Sequence, residues 1–152
     1  MIRGGNQRRE KARRGNVFVE LAAGITVMAT FLTGTWEFGR SFFIYNRLQT
    51  VVRDGARYAA TAVYDSPDGV AFHTRVKNMV VYGNPNAAAG AAPLVPDLTT
   101  AMVSVTEEKA GVMPTRITVR VVNYTLNNLF VRYTFTNKPL CRFNYTGQLI
   151  TP

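Results

Sequence analysis

The chain opens polar and basic, then inverts. Residues 17–38 are mostly apolar, and residues 21–36 carry no charge at all. As a helix rising about 1.5 Å per residue, the stretch 17–38 would extend roughly 33 Å, enough for the hydrocarbon core of a bilayer. Past Phe38 the apolar positions change spacing. Phe42, Tyr45, Leu48, Val52, Ala56, Ala59 and Val63 recur at steps of three or four, one stripe along an amphipathic helix. Arg40, Arg47, Arg53, Asp54 and Arg57 fall mostly off that stripe, and Arg53, Asp54 and Arg57 read as solvated or paired surface charges rather than as a binding site. With no proline between residues 17 and 66, the pattern predicts a single helix of nearly fifty residues, apolar on all sides in its first half and amphipathic in its second.

The pattern breaks at "DSPDG". Ser66 followed by Pro67 signals a helix start, and Val76, Met79 and Val80 predict a short amphipathic helix stopped by Gly83. Residues 84–97 read as a loop with Pro85, Pro93 and Pro96, apolar enough to pack on a sheet. Alternation then takes over. Met102, Val103 and Val105 mark a first strand, and "EEKAG" a turn. "TRITVRVVNYT" is a half-buried antiparallel strand with Ile117, Val119 and Val121 inward, and Asn127–Asn128 another turn. "LFVRYTFT" and "LCRFNYTGQLI" supply the last strands, with Cys141, Phe143 and Tyr145 on one face. The fold class predicted is α+β: a long N-terminal helix packed on a small antiparallel sheet, whose apolar face covers the helix stripe.

Charge sharpens this picture. The net charge is +9, but Arg3, Arg8, Arg9, Lys11, Arg13 and Arg14 crowd the first fourteen residues against Glu10 alone, and the remainder carries only +4. Dense Lys/Arg ahead of an apolar segment predicts a cytoplasmic N-terminus and a translocated C-terminal domain, and Trp36 sits where an interfacial aromatic belongs. A secretory signal peptide would need a small-residue cleavage site after the apolar run and a turn to soluble character; here the helical pattern continues. Gly24, Thr26, Thr30, Thr33, Gly34 and Thr35 give the segment the small, hydroxyl-bearing surface of a helix that packs on other helices.

Candidate chemistry is sparse. With one cysteine and one histidine there is no intramolecular disulfide and no Cys/His metal cluster, so neither metal nor other cofactor is expected. Cys141 reads as a small buried hydrophobe, and His73 as an exposed or core-edge residue on the short helix. Glu107 and Glu108 are adjacent, so on a strand they point to opposite faces and form no acid–base pair. No nucleophile elbow and no glycine-rich phosphate loop is present, and an enzyme is not expected. Aromatics interleaved with Arg116, Arg120, Arg132 and Arg142 are the raw material of a nucleic-acid platform, but aromatics on a half-exposed sheet are ordinary, and no nucleic-acid partner is expected. Glu20 stands out as a carboxylate just inside the apolar run, where an unpaired charge is costly.

A basic leader, a glycine, a carboxylate five residues on, and an apolar helix running into an amphipathic one resemble the class III signal of type IV pilins and pseudopilins. More closely, "RRGNVFVELAAG" followed by "FGRSFFIYNRLQTVVRDGARYAA" is similar to the TadE-like pseudopilins of the Tad (tight adherence, Flp) pilus, with "YNRLQTVVRDGARYAA" the more specific half. The block at 76–105, "VKNMVVYGNPNAAAGAAPLVPDLTTAMVSV", is similar to the region C-terminal to that helix in the family. Leu21 stands after the glutamate where an aromatic often does, which fits a minor pseudopilin better than a major pilin. The resemblance implies a pilin-like plan and a division into a cytoplasmic leader at 1–15 removed by a prepilin peptidase, a transmembrane half-helix at 16–38, its amphipathic continuation at 39–64, and a periplasmic or extracellular α+β domain at 65–152. It implies cleavage after Gly15, so that Asn16 becomes the first residue and Glu20 the fifth. It implies as partners the peptidase, other pseudopilins, the major pilin, the inner-membrane assembly platform and the bacterial inner membrane itself. The chemistry is coherent: glycine admits an extended backbone into a protease cleft, and the new ammonium at Asn16 lies one helical turn from Glu20, its own or a neighbour's. The competing reading is a tethered periplasmic binding or adhesion module that is neither processed nor assembled.

Overall fold

The computed structural model describes residues 5–65, 69–88, 90–111, 113–130, 132–147 and 149–150, with side chains described from Asn16 onward apart from the last pair. The expected helix start at Ser66–Pro67 lies outside the described residues. The chain divides into two units, Met1–Arg40 and Ser41–Pro152.

The first element is helix α1, Gly5–Thr61. It is longer than the apolar pattern required, because the backbone of the basic arm is helical too. Residues 5–14 hold no proline, and Gln, Arg, Glu, Lys and Ala are good helix formers. At its other end α1 stops at Thr61, short of Val63. The orphan carbonyls of this last turn are met from the far end of the chain. Ala60 O accepts the Thr146 N–H at 2.8 Å, and Ala62 O accepts the Tyr145 hydroxyl at 2.8 Å.

Strand β1 (Tyr64–Asp65) and helix α2 (Val70–Tyr82) come next. Gly83 ends α2 as expected, left-handed at φ 73° with its N–H on Met79 O. After a single 3₁₀ turn at Thr100–Met102 come β2 (Val103–Ala110), β3 (Met113–Val121), β4 (Tyr124–Asn127), β5 (Arg132–Phe135), β6 (Leu140–Asn144) and β7 (Leu149–Ile150). They form an antiparallel sheet in the order β2-β3-β6, an antiparallel β4–β5 hairpin and a short parallel β1–β7 pair. "EEKAG" is not a turn: β2 carries Glu107 and Glu108 on to Ala110, and only then does the chain reverse. The ladder slips between Glu108 and Lys109, where the partner strand supplies Pro114, which has no N–H to donate.

One core holds the second unit together. From α1 it takes Ile44, Leu48, Val52, Ala56 and Ala59, from α2 Phe72, Val76 and Val80, and from β3 Ile117, Val119 and Val121. A fully buried Val or Leu contributes about 1.5–3 kcal/mol, so this stripe fixes the helix on the sheet. Its membership corrects the sequence pattern at both ends: Phe42 is 60% exposed and Ile44 takes its place, while Val63 is only half-buried. Tyr45 is half-buried against Phe135, their ring centroids 5.5 Å apart. The 84–97 loop packs inward as expected, burying Val95, and Pro96 O accepts the Tyr124 hydroxyl at 2.9 Å. Gly55 marks where α1 and α2 touch, for a Cβ there would stand 2.2 Å from Val80 Cγ2.

Candidate functional site

From Asn16 to Phe38, α1 presents its side chains outward. Phe18, Leu21, Ile25, Met28, Phe31, Leu32 and Trp36 are all more than half exposed. Within Asn16–Thr61 lies an 18-residue stretch long and apolar enough to cross a membrane, none of it buried in the protein. Its hydroxyls are already satisfied. Thr26, Thr30, Thr33 and Thr35 donate to the carbonyls of Ala22, Thr26, Ala29 and Phe31, each four residues back, at 2.8–2.9 Å. The helix surface therefore presents no free threonine donor among the described residues. A Cβ added at Gly24 or Gly34 would meet nothing within 4 Å, so these glycines answer no packing need inside the chain.

The three residues singled out for processing lie together on α1. Asn16 and Glu20 are exposed and four residues apart, which stacks them on one face one turn apart. Gly15 precedes them, with its backbone in the helix. Glycine in a helix interior costs about 1 kcal/mol against alanine, so this peptide is a favoured place to unwind. Arg53, Asp54 and Arg57 are exposed, as expected of surface charges.

A polar cluster that sequence reasoning missed lies in the second unit. Glu107, inward-facing on β2 with a side chain 12% exposed, accepts the hydroxyl of fully buried Tyr64 at 2.9 Å. Lys109 Nζ stands 3.1 Å from the same oxygen and 5.2 Å from the Tyr64 ring centroid. His73 Nε2, from α2, is 3.5 Å from the other oxygen. Burial alone would push the Glu107 carboxyl up. Hydrogen bonds from Tyr64 and Lys109, with His73 alongside, overcome it and hold the carboxyl below its ordinary value. Burial raises the Tyr64 hydroxyl, and the Tyr64 and Glu107 oxygens raise the Lys109 ammonium. His73 thus has a partner that sequence did not reveal, since Glu107 is brought to it only by packing α2 on β2. Glu108, one residue on, faces the other way and pairs with Arg116 at 3.1 Å.

Cys141 is half-buried beside a groove of about 290 Å³ lined by Tyr45, Arg53 and Lys138, while Phe143 on the same strand is exposed. Arg120 Nε donates to Ser104 Oγ at 3.4 Å. Among the described residues no group of three or more His, Cys, Asp or Glu comes together to hold a metal ion.

Comparison with known proteins fixes attention on the helix. The family model for TadE-like proteins matches residues 15–57. This segment is TadE-like. No curated protein and no solved structure matches the chain. The TadE-like segment starts at Gly15, contains Asn16 and Glu20, crosses the exposed apolar stretch and ends at Arg57, beyond Gly55 and most of the buried stripe. The block at 76–105 and the strands lie outside it.

Proposed function

We propose that this chain is a minor pseudopilin of a Tad-type pilus, needed for filament initiation or assembly and for surface adherence. The carrying observation is the TadE-like match that begins at Gly15 and holds Glu20 at the head of an exposed apolar helix. In this reading a prepilin peptidase cuts the Gly15–Asn16 bond and removes the basic arm. The helix stays in the inner membrane with its N-terminus cytoplasmic, and the α+β domain lies in the periplasm until assembly. Glu20 then meets the ammonium of Asn16, its own or that of a neighbouring pseudopilin or major pilin. Pairing offsets the several kcal/mol that an isolated charge loses in hydrocarbon. Two features support the pairing: the one-turn spacing of Asn16 and Glu20, and the six basic residues that cleavage would remove.

N-terminal mass spectrometry of membrane-purified protein, from cells with an active prepilin peptidase, tests the proposal. The expected species starts at Asn16, and a bulky residue at position 15 leaves the precursor uncut. A mature protein starting at Met1 supports instead the tethered binding or adhesion module, and one cut beyond Trp36 means a secretory signal.

A further inference from the structure

The folded unit has an apolar end. Where β4 turns into β5, Leu129 and Phe130 are 78% and 72% exposed. Asn128, beside them, donates from Nδ2 to Ser41 Oγ at 2.6 Å. Ser41 is followed by Phe42 and Phe43, 60% and 62% exposed. Four large apolar side chains thus flank one hydrogen bond, at the point where α1 enters the unit. Among the described residues, the rest of the unit shows its exposed large apolar side chains singly along the chain, which is ordinary for a protein surface.

We propose that this end is a second membrane contact, with Leu129 and Phe130 seated in the headgroup–acyl boundary of the bilayer that holds the apolar half of α1. The inference rests on the membrane reading of that helix and adds a site to it. Distance argues for lipid. Ser41 follows Phe38 by three residues, about 5 Å of helix rise, and the headgroup layer is roughly 5–8 Å deep on each side of the hydrocarbon core. By chain connectivity alone, a hairpin tip hydrogen-bonded to Ser41 stays within a short reach of the end of the apolar run. Charge argues the same way. After Glu108 the sequence contains no Asp or Glu, and while Lys109 and Arg116 pair with Glu107 and Glu108, it also carries Arg120, Arg132, Lys138 and Arg142. Arg132, which opens β5 opposite Asn127, is exposed two residues from Phe130. An apolar tip with an arginine behind it suits an anionic lipid surface, where the aromatic sinks and the guanidinium meets phosphate.

Tryptophan fluorescence tests this in the full chain, reconstituted in vesicles of phosphatidylcholine and phosphatidylglycerol with or without lipids brominated near the headgroup end of the acyl chain. Trp36 is the sole tryptophan and reports on the membrane helix. Trp36→Phe combined with Leu129→Trp, or separately with Phe130→Trp, moves the reporter to the tip. Both positions are exposed enough to accept the ring, and each variant checks the other. Phe143→Trp, on β6, is the control away from the tip. The expected result is a blue shift and a loss of emission with brominated lipid for both tip reporters and for Trp36, with no loss at position 143. Quenching of Trp36 without quenching of either tip reporter overturns the second contact and leaves the membrane helix standing. A tip emission that is blue-shifted yet insensitive to bromine means that a protein partner covers the tip, which also overturns it. If Trp36 itself is unquenched, the membrane reading falls first.

Discussion

At the scale of single residues, Glu107 shows how a carboxylate is kept charged in a poor solvent. Its folded pKa lies below the ordinary value of 4.5, so the stability it contributes is fully present above that value. That contribution is lost as pH falls through the lowered folded pKa, as the carboxylate takes up its proton. Glu107→Gln should lower stability at neutral pH by about 1–2 kcal/mol through weakened hydrogen bonding to Tyr64 and Lys109. Between about pH 5 and pH 3 the wild type should then lose stability more steeply than the variant. Denaturant titrations of the detergent-solubilised chain across that range measure both, and parallel curves would mean that the carboxylate does not titrate differently in the folded state. The sequence announced that Glu107 and Glu108 face opposite ways, because period two on a strand requires it. It did not announce Tyr64 or His73 as partners of Glu107, since those residues lie on other elements and only tertiary packing brings them together.

The two halves of α1 obey different rules at the scale of elements, and each was legible to a different degree. The apolar half was readable as a run, because a continuous stretch of apolar residues needs no partner element to define it. The buried stripe was readable at Leu48, Val52, Ala56 and Ala59 but not at its start. A three-or-four spacing admits Phe42 or Ile44 equally, and the sheet decides. Gly55 was invisible in the pattern because its role is to have no side chain. Gly55→Ala places a carbon against Val80 and should destabilise the chain by about 1–3 kcal/mol, read as a lower denaturation midpoint with an unchanged slope; an unchanged midpoint would show that the helices move apart freely. For the apolar half the expectation is functional. Glu20→Gln, as the sole copy, should still fractionate with the membrane, because removing a charge favours insertion. It should fail to support pili in a shearing assay. Normal piliation would show that the charge is not used in assembly, and loss of insertion that Glu20 serves the local fold instead. Strand ends were the least legible: "EEKAG" carries turn-like residues, yet pairing with β3 extends β2 through it until Gly111, which takes φ 66°.

For the whole molecule, the sequence carried the α+β class and the order of helix, short helix and strands. It did not carry the parallel β1–β7 pair, which joins residues at opposite ends of the folded domain. Topology is the expectation to test at this scale. A reporter active only in the periplasm and fused after Pro152 should work, while a cytoplasmic reporter at the same place should be silent; the reverse result would invert the proposed orientation. The threonines of the apolar half have a consequence of their own. Each hydroxyl is bonded to a carbonyl of its own helix, so the surface is the same whether its surroundings are acyl chains or the side chains of another subunit. Sideways transfer from one to the other strands no threonine donor and breaks no threonine bond. The threonines therefore set no barrier to such a transfer in either direction, and whatever holds the helix in one setting or the other must come from its shape and from Glu20.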